Sequence, residues 1–279
     1  DRRRFLGAGV GIVSCLTAGG SVSPPASEAD DDVRDDGLIA GIERKVIFPG
    51  RGGGTTWFHP RPCMIPAEGN ATALMTLQSV SGSDVFGPVH WTTSDDLGRS
   101  WRPPEPIPGL GRRGLGDGWE EGTCDVVPQY HPPTRSVLAV GHNVYYKGGV
   151  LAQPQRRRWP VYVVRSPDGR WSTPRRLDWD DPRASDIYTC GCSERVVLDG
   201  GDVLVPLSFG PEGRPQRSVT TVRCSFDGRE LRVREAGSEL TNTSGRGLLE
   251  PSLALLDGRF YLTIRAEDGR GYVSASDDG

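Results

Sequence analysis

Glu250 and Arg265 bound the stretch "EPSLALLDGRFYLTIR". Between them two apolar runs are joined by Asp257-Gly258, a two-residue turn suited to a β-hairpin. A hairpin of that length returns its ends to one edge, so a carboxylate and a guanidinium 15 residues apart (250 to 265) meet there. Charge inside an apolar strand is costly unless it is paired or faces a site. The pair therefore either closes the hairpin as an ion pair or lines a site. Three more charged residues sit at the edges of apolar runs: Arg61 in "HPRPCMIPA", Asp84 in "SGSDVFG" and Asp125 in "GTCDVVPQY". Guanidiniums suit anions and carboxylates suit proton transfer, so together the five could serve an acidic substrate. The plainer alternatives are a loop-paired Arg61, an ordinary Gly/Ser/Asp turn at Asp84, and Glu120 or Glu121 in place of Asp125.

What would position them is a set of repeated turns. "SDDLGRSW" (residues 94–101) follows the β-branched "HWTT". Asp96 and Gly98 are turn residues, and Trp101 can fold back as an apolar plug. The phrase S-x-D recurs at Ser166, Ser225 and Ser276, in steps of 72, 59 and 51 residues (94 to 166, 166 to 225, 225 to 276). Each copy follows a β-branched run. Four strand–turn–strand phrases at this spacing predict an all-β chain of small antiparallel sheets around an axis, a β-propeller. Blade one is expected from about Lys45 to Trp101, beginning with "RKVIFPG". No window of helical periodicity competes. Inner strands of a propeller line its central funnel, which makes charges on them site candidates.

Ser94, Asp96, Gly98, Ser100 and Trp101 together resemble the Asp-box, S-x-D-x-G-x-[ST]-W, of the sialidase (neuraminidase) superfamily. The resemblance covers roughly residues 45 to 279. It implies a sialidase-type propeller of six blades in the full protein, about four of them present here, with the chain truncated at its C-terminus. It also implies roles. Arg61 would bind a sialic acid carboxylate, although Pro62, Cys63 and Met64 interrupt the family's R-I-P motif. Arg265 would be a second carboxylate ligand. Glu250 would polarise a tyrosine nucleophile, Asp84 would be the acid/base, and Asp125 would contact the sugar. A tyrosine suits a substrate that carries its own carboxylate, because a carboxylate nucleophile would be repelled.

Residues 62 to 83 lack the family's further arginine, and Tyr145, Tyr188, Tyr261 and Tyr272 lie in the wrong blades for the nucleophile. The resemblance implies exo-cleavage of terminal sialic acid or a related acidic sugar, by a monomer without metal or organic cofactor. The alternatives are a non-catalytic Asp-box propeller that binds glycans or proteins, and a hydrolase of the same fold acting on another sugar.

A net charge of −3 gives no sign of nucleic-acid binding. Residues 1–19 start with Arg2-Arg3-Arg4-Phe5-Leu6 before a short apolar stretch, as a twin-arginine-like export signal does. That predicts a periplasmic or extracellular protein, with Cys15 in "IVSC" a possible lipid anchor and no transmembrane segment. Residues 20–44 read as a flexible acidic linker. The later cysteines (63, 124, 190, 192 and 224) are odd in number and fit no zinc spacing, so buried or bridging cysteines are favoured over metal. Four scattered histidines, at 59, 90, 131 and 142, build no metal site by their spacing.

Overall fold

The computed structural model describes residues 41–50, 54–67, 69 and 71–279. The expected export signal, Cys15 and most of the linker lie outside the described residues. No helix among the described residues is long and apolar enough to cross a membrane.

Residues 47–279 form four successive blades of a β-propeller. Blade one contains β1 (Trp57–Ile65), β2 (Thr72–Val80), β3 (Phe86–Ser94) and β4 (Glu105–Pro106). Blade two contains β5 (Arg113–Gly116), β6 (Trp119–His131), β7 (Ser136–Lys147), β8 (Val150–Leu151), β9 (Pro160–Arg165) and β10 (Arg175–Arg176). Blade three contains β11 (Ile187–Thr189), β12 (Val196–Val197), β13 (Val203–Gly210), β14 (Ser218–Phe226) and β15 (Leu231–Ala236). Blade four contains β16 (Leu248–Leu256), β17 (Arg259–Ala266) and β18 (Gly271–Ser276). All the strand ladders within the blades are antiparallel. The segment "RKVIFPG" is not a strand; the first strand starts at Trp57.

The blades stack face to face. Val89, Ile107 and Leu110 of blade one pack with Val126, Ala139 and Val163 of blade two. Leu138, Val140 and Tyr162 pack with Val205, Leu207 and Val222 of blade three. Leu204 and Val219 pack with Leu253, Leu262 and Ile264 of blade four. Each fully buried Val or Leu contributes about 1.5–3 kcal/mol. Burial explains the sequence pattern. β13 reads "VLVPLSFG" with every residue buried, because both its faces are covered. β17 alternates, because one of its faces is packed.

The four S-x-D turns sit at one equivalent place, at the end of the strand that pairs with β2, β7, β13 and β17 on the side away from β1, β6, β11 and β16: β3, β9, β14 and β18. The first is the most complete. Ser94 Oγ donates to Asp96 Oδ1 at 2.7 Å and accepts from the Gly98 N–H at 2.8 Å. Asp96 also takes the Ser100 N–H at 2.8 Å and its hydroxyl at 2.5 Å. Trp101 Nε1 donates to the Gly98 carbonyl at 3.1 Å. Gly98 has φ +87°, a region a residue with a Cβ enters at a cost. These turns satisfy themselves and lie away from the site described next.

Candidate functional site

One residue in each innermost strand leaves the extended conformation. His59, Asp125, Gly191 and Glu250 have φ of +53°, +55°, +56° and +46°. They are 66, 66 and 59 residues apart (59 to 125, 125 to 191, 191 to 250). The ladder register breaks at each: between Phe58 and Arg61, between Cys124 and Val127, and between Leu249 and Ser252. In blade three the break separates β11 from β12. Such bulges re-aim side chains. In an unbroken strand Cys124 and Asp125 would point to opposite faces. Here both reach one pocket.

The bulge in blade two depends on Gly141 across the ladder. A Cβ built there would lie 2.4 Å from the Cys124 carbonyl oxygen and 2.7 Å from Val126 Cγ2. Gly191 leaves its place in the ring without a side chain, next to Glu250.

The pocket has a volume of about 690 Å³. Asp84, Asp125, Glu250 and Arg265 all line it; Arg61 does not. Arg61 lies in β1, close enough for its charge to act on Asp125 and Cys192, and its Nε is buried without a hydrogen-bond partner. Glu120 and Glu121 turn to Arg112 and Arg113 instead of the pocket. Asp84 sits on the loop between β2 and β3, held by the Tyr146 hydroxyl, which donates to the Asp84 carbonyl at 3.3 Å and accepts from the Phe86 N–H at 3.0 Å.

Glu250 Oε1 accepts from Arg265 Nη1 at 2.7 Å, and both side chains are about half exposed. The hairpin thus brings its charged ends together as its length predicts, with Leu249 and Arg265 directly paired. His59 Nδ1 lies 3.2 Å from Asp125 Oδ1. That nitrogen makes no well-aligned hydrogen bond, so the contact is electrostatic. Burial alone would raise the Asp125 carboxyl; His59, His142 and Arg61 outweigh it and hold it below the usual carboxylate range. Burial pushes His142 down to about 4, against the pull of Asp125, so the ring is neutral at pH 7.

Four pocket arginines escaped the sequence reading: Arg156, which stacks on Trp119, and Arg158, Arg217 and Arg246. Arg158 precedes β9 and bridges to Ile187 of the next blade; Arg217 precedes β14 and bridges to Gly247 of the next. They occupy matching places at successive blade junctions, a relation that only the pairing between blades makes visible. Arg246 is paired, its Nε 2.8 Å from Glu267 Oε1. Among the described residues no carboxylate lies within ion-pair distance of Arg158 or Arg217. Burial, with the like charges of Arg158 and Arg246, pushes Arg217 down to about 10. Burial likewise lowers Arg158, with Cys124 and Asp186 acting against it and Arg246 with it. Asp186, also in the lining, offsets part of this charge from beyond ion-pair distance, and two partly desolvated guanidiniums in a pocket wall suit an anion.

No family model matches the chain, and no curated protein matches it. Solved structures do. A Hadza microbial sialidase, Hz136, superposes with TM-score 0.58 at 14% identity, over 80% of this chain and 44% of that one. A Trypanosoma rangeli sialidase gives TM-score 0.57 at 15% identity, over 83% and 39%. The same sialidase in complex with sialic acid gives 0.56 at 14%, over 80% and 36%. The chain therefore has the sialidase-type propeller fold and spans less than half the length of the sialidases it matches.

Proposed function

We propose that this propeller is a glycoside hydrolase-like module whose pocket takes the terminal acidic sugar of a glycan. Sialic acid is the first candidate, because one superposed sialidase is a complex with that sugar. The observation that carries the reading is the pair of unpaired, partly buried guanidiniums, Arg158 and Arg217, beside Arg246 and Arg265 in one pocket. Their repulsion is relieved by a carboxylate, and a planar fork binds one with two parallel hydrogen bonds. Around them stand carboxylates for the rest of the sugar. Asp125 would accept from hydroxyl or acyl-amino groups. Asp84, on its loop, would protonate the leaving oxygen. Glu250 would take the proton of a hydroxyl nucleophile. The protein is proposed to act outside the cytoplasm as a monomer.

One contact favours a second reading, a propeller that binds acidic glycans without cleaving them. Glu250 and Arg265 are bonded to each other, so each is occupied by its partner. Two measurements separate the readings. Calorimetric titration should show saturable binding of free sialic acid or a hexuronic acid and none of galactose. Release of fluorophore from a sialoside then distinguishes a hydrolase from a binder. Equal affinity for neutral and acidic sugars, or none for either, sinks both.

A further inference from the structure

We propose that Cys124, Asp125 and His142 form a three-ligand site for a zinc-class divalent transition-metal ion, with its open coordination position facing the pocket. The sulfur, a carboxylate oxygen and a ring nitrogen all lie within 4.8 Å of one another. Cys124 and His142 are direct cross-strand partners on β6 and β7, and the bulge brings Asp125 to the same side. Sγ of Cys124 is 3.4 Å from Nε2 of His142. Bonds of about 2.0–2.3 Å at tetrahedral angles require ligand separations of about 3.3–3.7 Å, so this edge already has the needed length.

The surroundings of His142 differ from those of an ordinary buried histidine. His142 is only 8% exposed, yet its Nδ1 has no hydrogen-bond partner. A buried imidazole normally satisfies both nitrogens, and an orphaned one is costly. His131 shows the ordinary case in this same fold. Its two nitrogens lie 2.8 Å from Thr134 Oγ1 and 2.8 Å from the Gly201 carbonyl. The nitrogen that faces the Cys124 sulfur is Nε2, and it is the one an ion would take; the unpartnered nitrogen is Nδ1, elsewhere on the ring.

The donor set selects the ion. One thiolate, one imidazole and one carboxylate favour zinc and its neighbours over calcium or magnesium, which take oxygen ligands. Three protein ligands leave a fourth tetrahedral position. All three residues line the pocket, so that position is open to water or to a sugar oxygen. His59, its Nδ1 3.2 Å from Asp125 Oδ1, stands where an outer partner of that carboxylate would. The inference shares Asp125 with the glycan reading, but it rests on the geometry of the Cys124–Asp125–His142 cluster and is tested without a sugar, so either can fail without the other.

The probe is cobalt(II), which reports thiolate ligation through a charge-transfer absorption band. Protein treated with chelator and then titrated with cobalt should develop that band to one equivalent per chain and lose it on adding zinc. Cys124→Ser should abolish the band. His142→Gln should weaken cobalt binding at least tenfold. His59→Gln should weaken it by about 10-fold while keeping the band. His90→Gln, outside the cluster, should change nothing. Circular dichroism of each variant checks the fold. Should the serine variant misfold, His142→Gln and zinc displacement from the unaltered protein decide the matter. A wild-type chain that gives no band, or a folded Cys124→Ser chain that keeps it, overturns the proposal.

Discussion

A Cβ built on Gly191 would lie 3.4 Å from Cγ of Glu250. Gly191 is the blade-three counterpart of His59, Asp125 and Glu250, and it alone of the four brings no side chain to the centre. The gap is what gives Glu250 its room. Gly191→Ala must hold an alanine at φ +56°, which costs about 1–2 kcal/mol, and it tightens the approach to Glu250. Urea unfolding should show that loss with an unchanged slope. Acidic-sugar affinity should fall as well. A variant as stable as the parent would mean the backbone there relaxes freely.

Arg217→Met should trade function for stability. The guanidinium is partly buried, has no ion-pair partner among the described residues and is repelled by Arg158 and Arg246. Methionine removes a buried charge that Asp186 and Glu267 offset only from a distance, while filling similar apolar volume, so unfolding free energy should rise by about 1 kcal/mol. Affinity for an acidic sugar should drop at least tenfold, with neutral sugars unaffected. A loss of stability would show that Arg217 is structural, and would remove it from the proposed anion site.

Glu250→Gln tests the proton-transfer role separately from the fold. The Glu250–Arg265 pair is about half exposed, and exposed pairs contribute about 0–1 kcal/mol. The melting temperature should therefore shift by no more than that range allows. Sialoside hydrolysis, if the protein performs it, should be lost, while sugar binding persists or strengthens as Arg265 is freed. Arg265→Lys should weaken binding, because a point ammonium cannot replace a fork. Unchanged hydrolysis in Glu250→Gln would exclude the assigned role.

The architecture was legible because its signals are local. Each S-x-D turn is a few contiguous residues that bond among themselves, and "VLVPLSFG" declares a strand covered on both faces. Glu250 and Arg265 were legible for the same reason: one hairpin joins them. What was not legible depends on contacts between blades. Arg158 and Arg217 look like loop arginines until the strand bridges at Ile187 and Gly247 place them. His59 and His142 are 83 residues apart (59 to 142), and two bulges bring them to either side of Asp125. Gly191, in "CGCS", carries no chemistry of its own. Its meaning is the ring position it leaves empty. Arg61 was drawn toward the site by a motif, but β1 leaves it outside the pocket lining.

The turns make a prediction about acid. Asp96 is held well below the usual carboxylate range, first by the Ser100 hydroxyl, then by the Ser100 N–H and Ser94. Asp168 is pulled down to about 2 by Ser166 and Arg170. Asp227 is lowered by the N–H groups of Glu230 and Arg229. In the unfolded chain each would titrate near 3.9. A carboxyl with a depressed folded value binds fewer protons folded than unfolded in that interval, so acid favours the unfolded chain. The stability these turns supply is complete above about pH 4, shrinks as pH falls below that, and is lost only as pH passes the folded values, about 2 for Asp168 and lower for Asp96. Melting temperature should therefore decline steeply across that window. Asp96→Asn should melt lower than the parent at pH 7, because an amide cannot accept from Ser94 and Ser100 as a carboxylate does. Its deficit should shrink on acidification below about pH 4, and the two curves should draw together toward pH 2 and meet only below it. Curves that stay parallel from pH 7 to pH 2 would show that the Asp96 charge contributes nothing to the turn, and that geometry alone holds it.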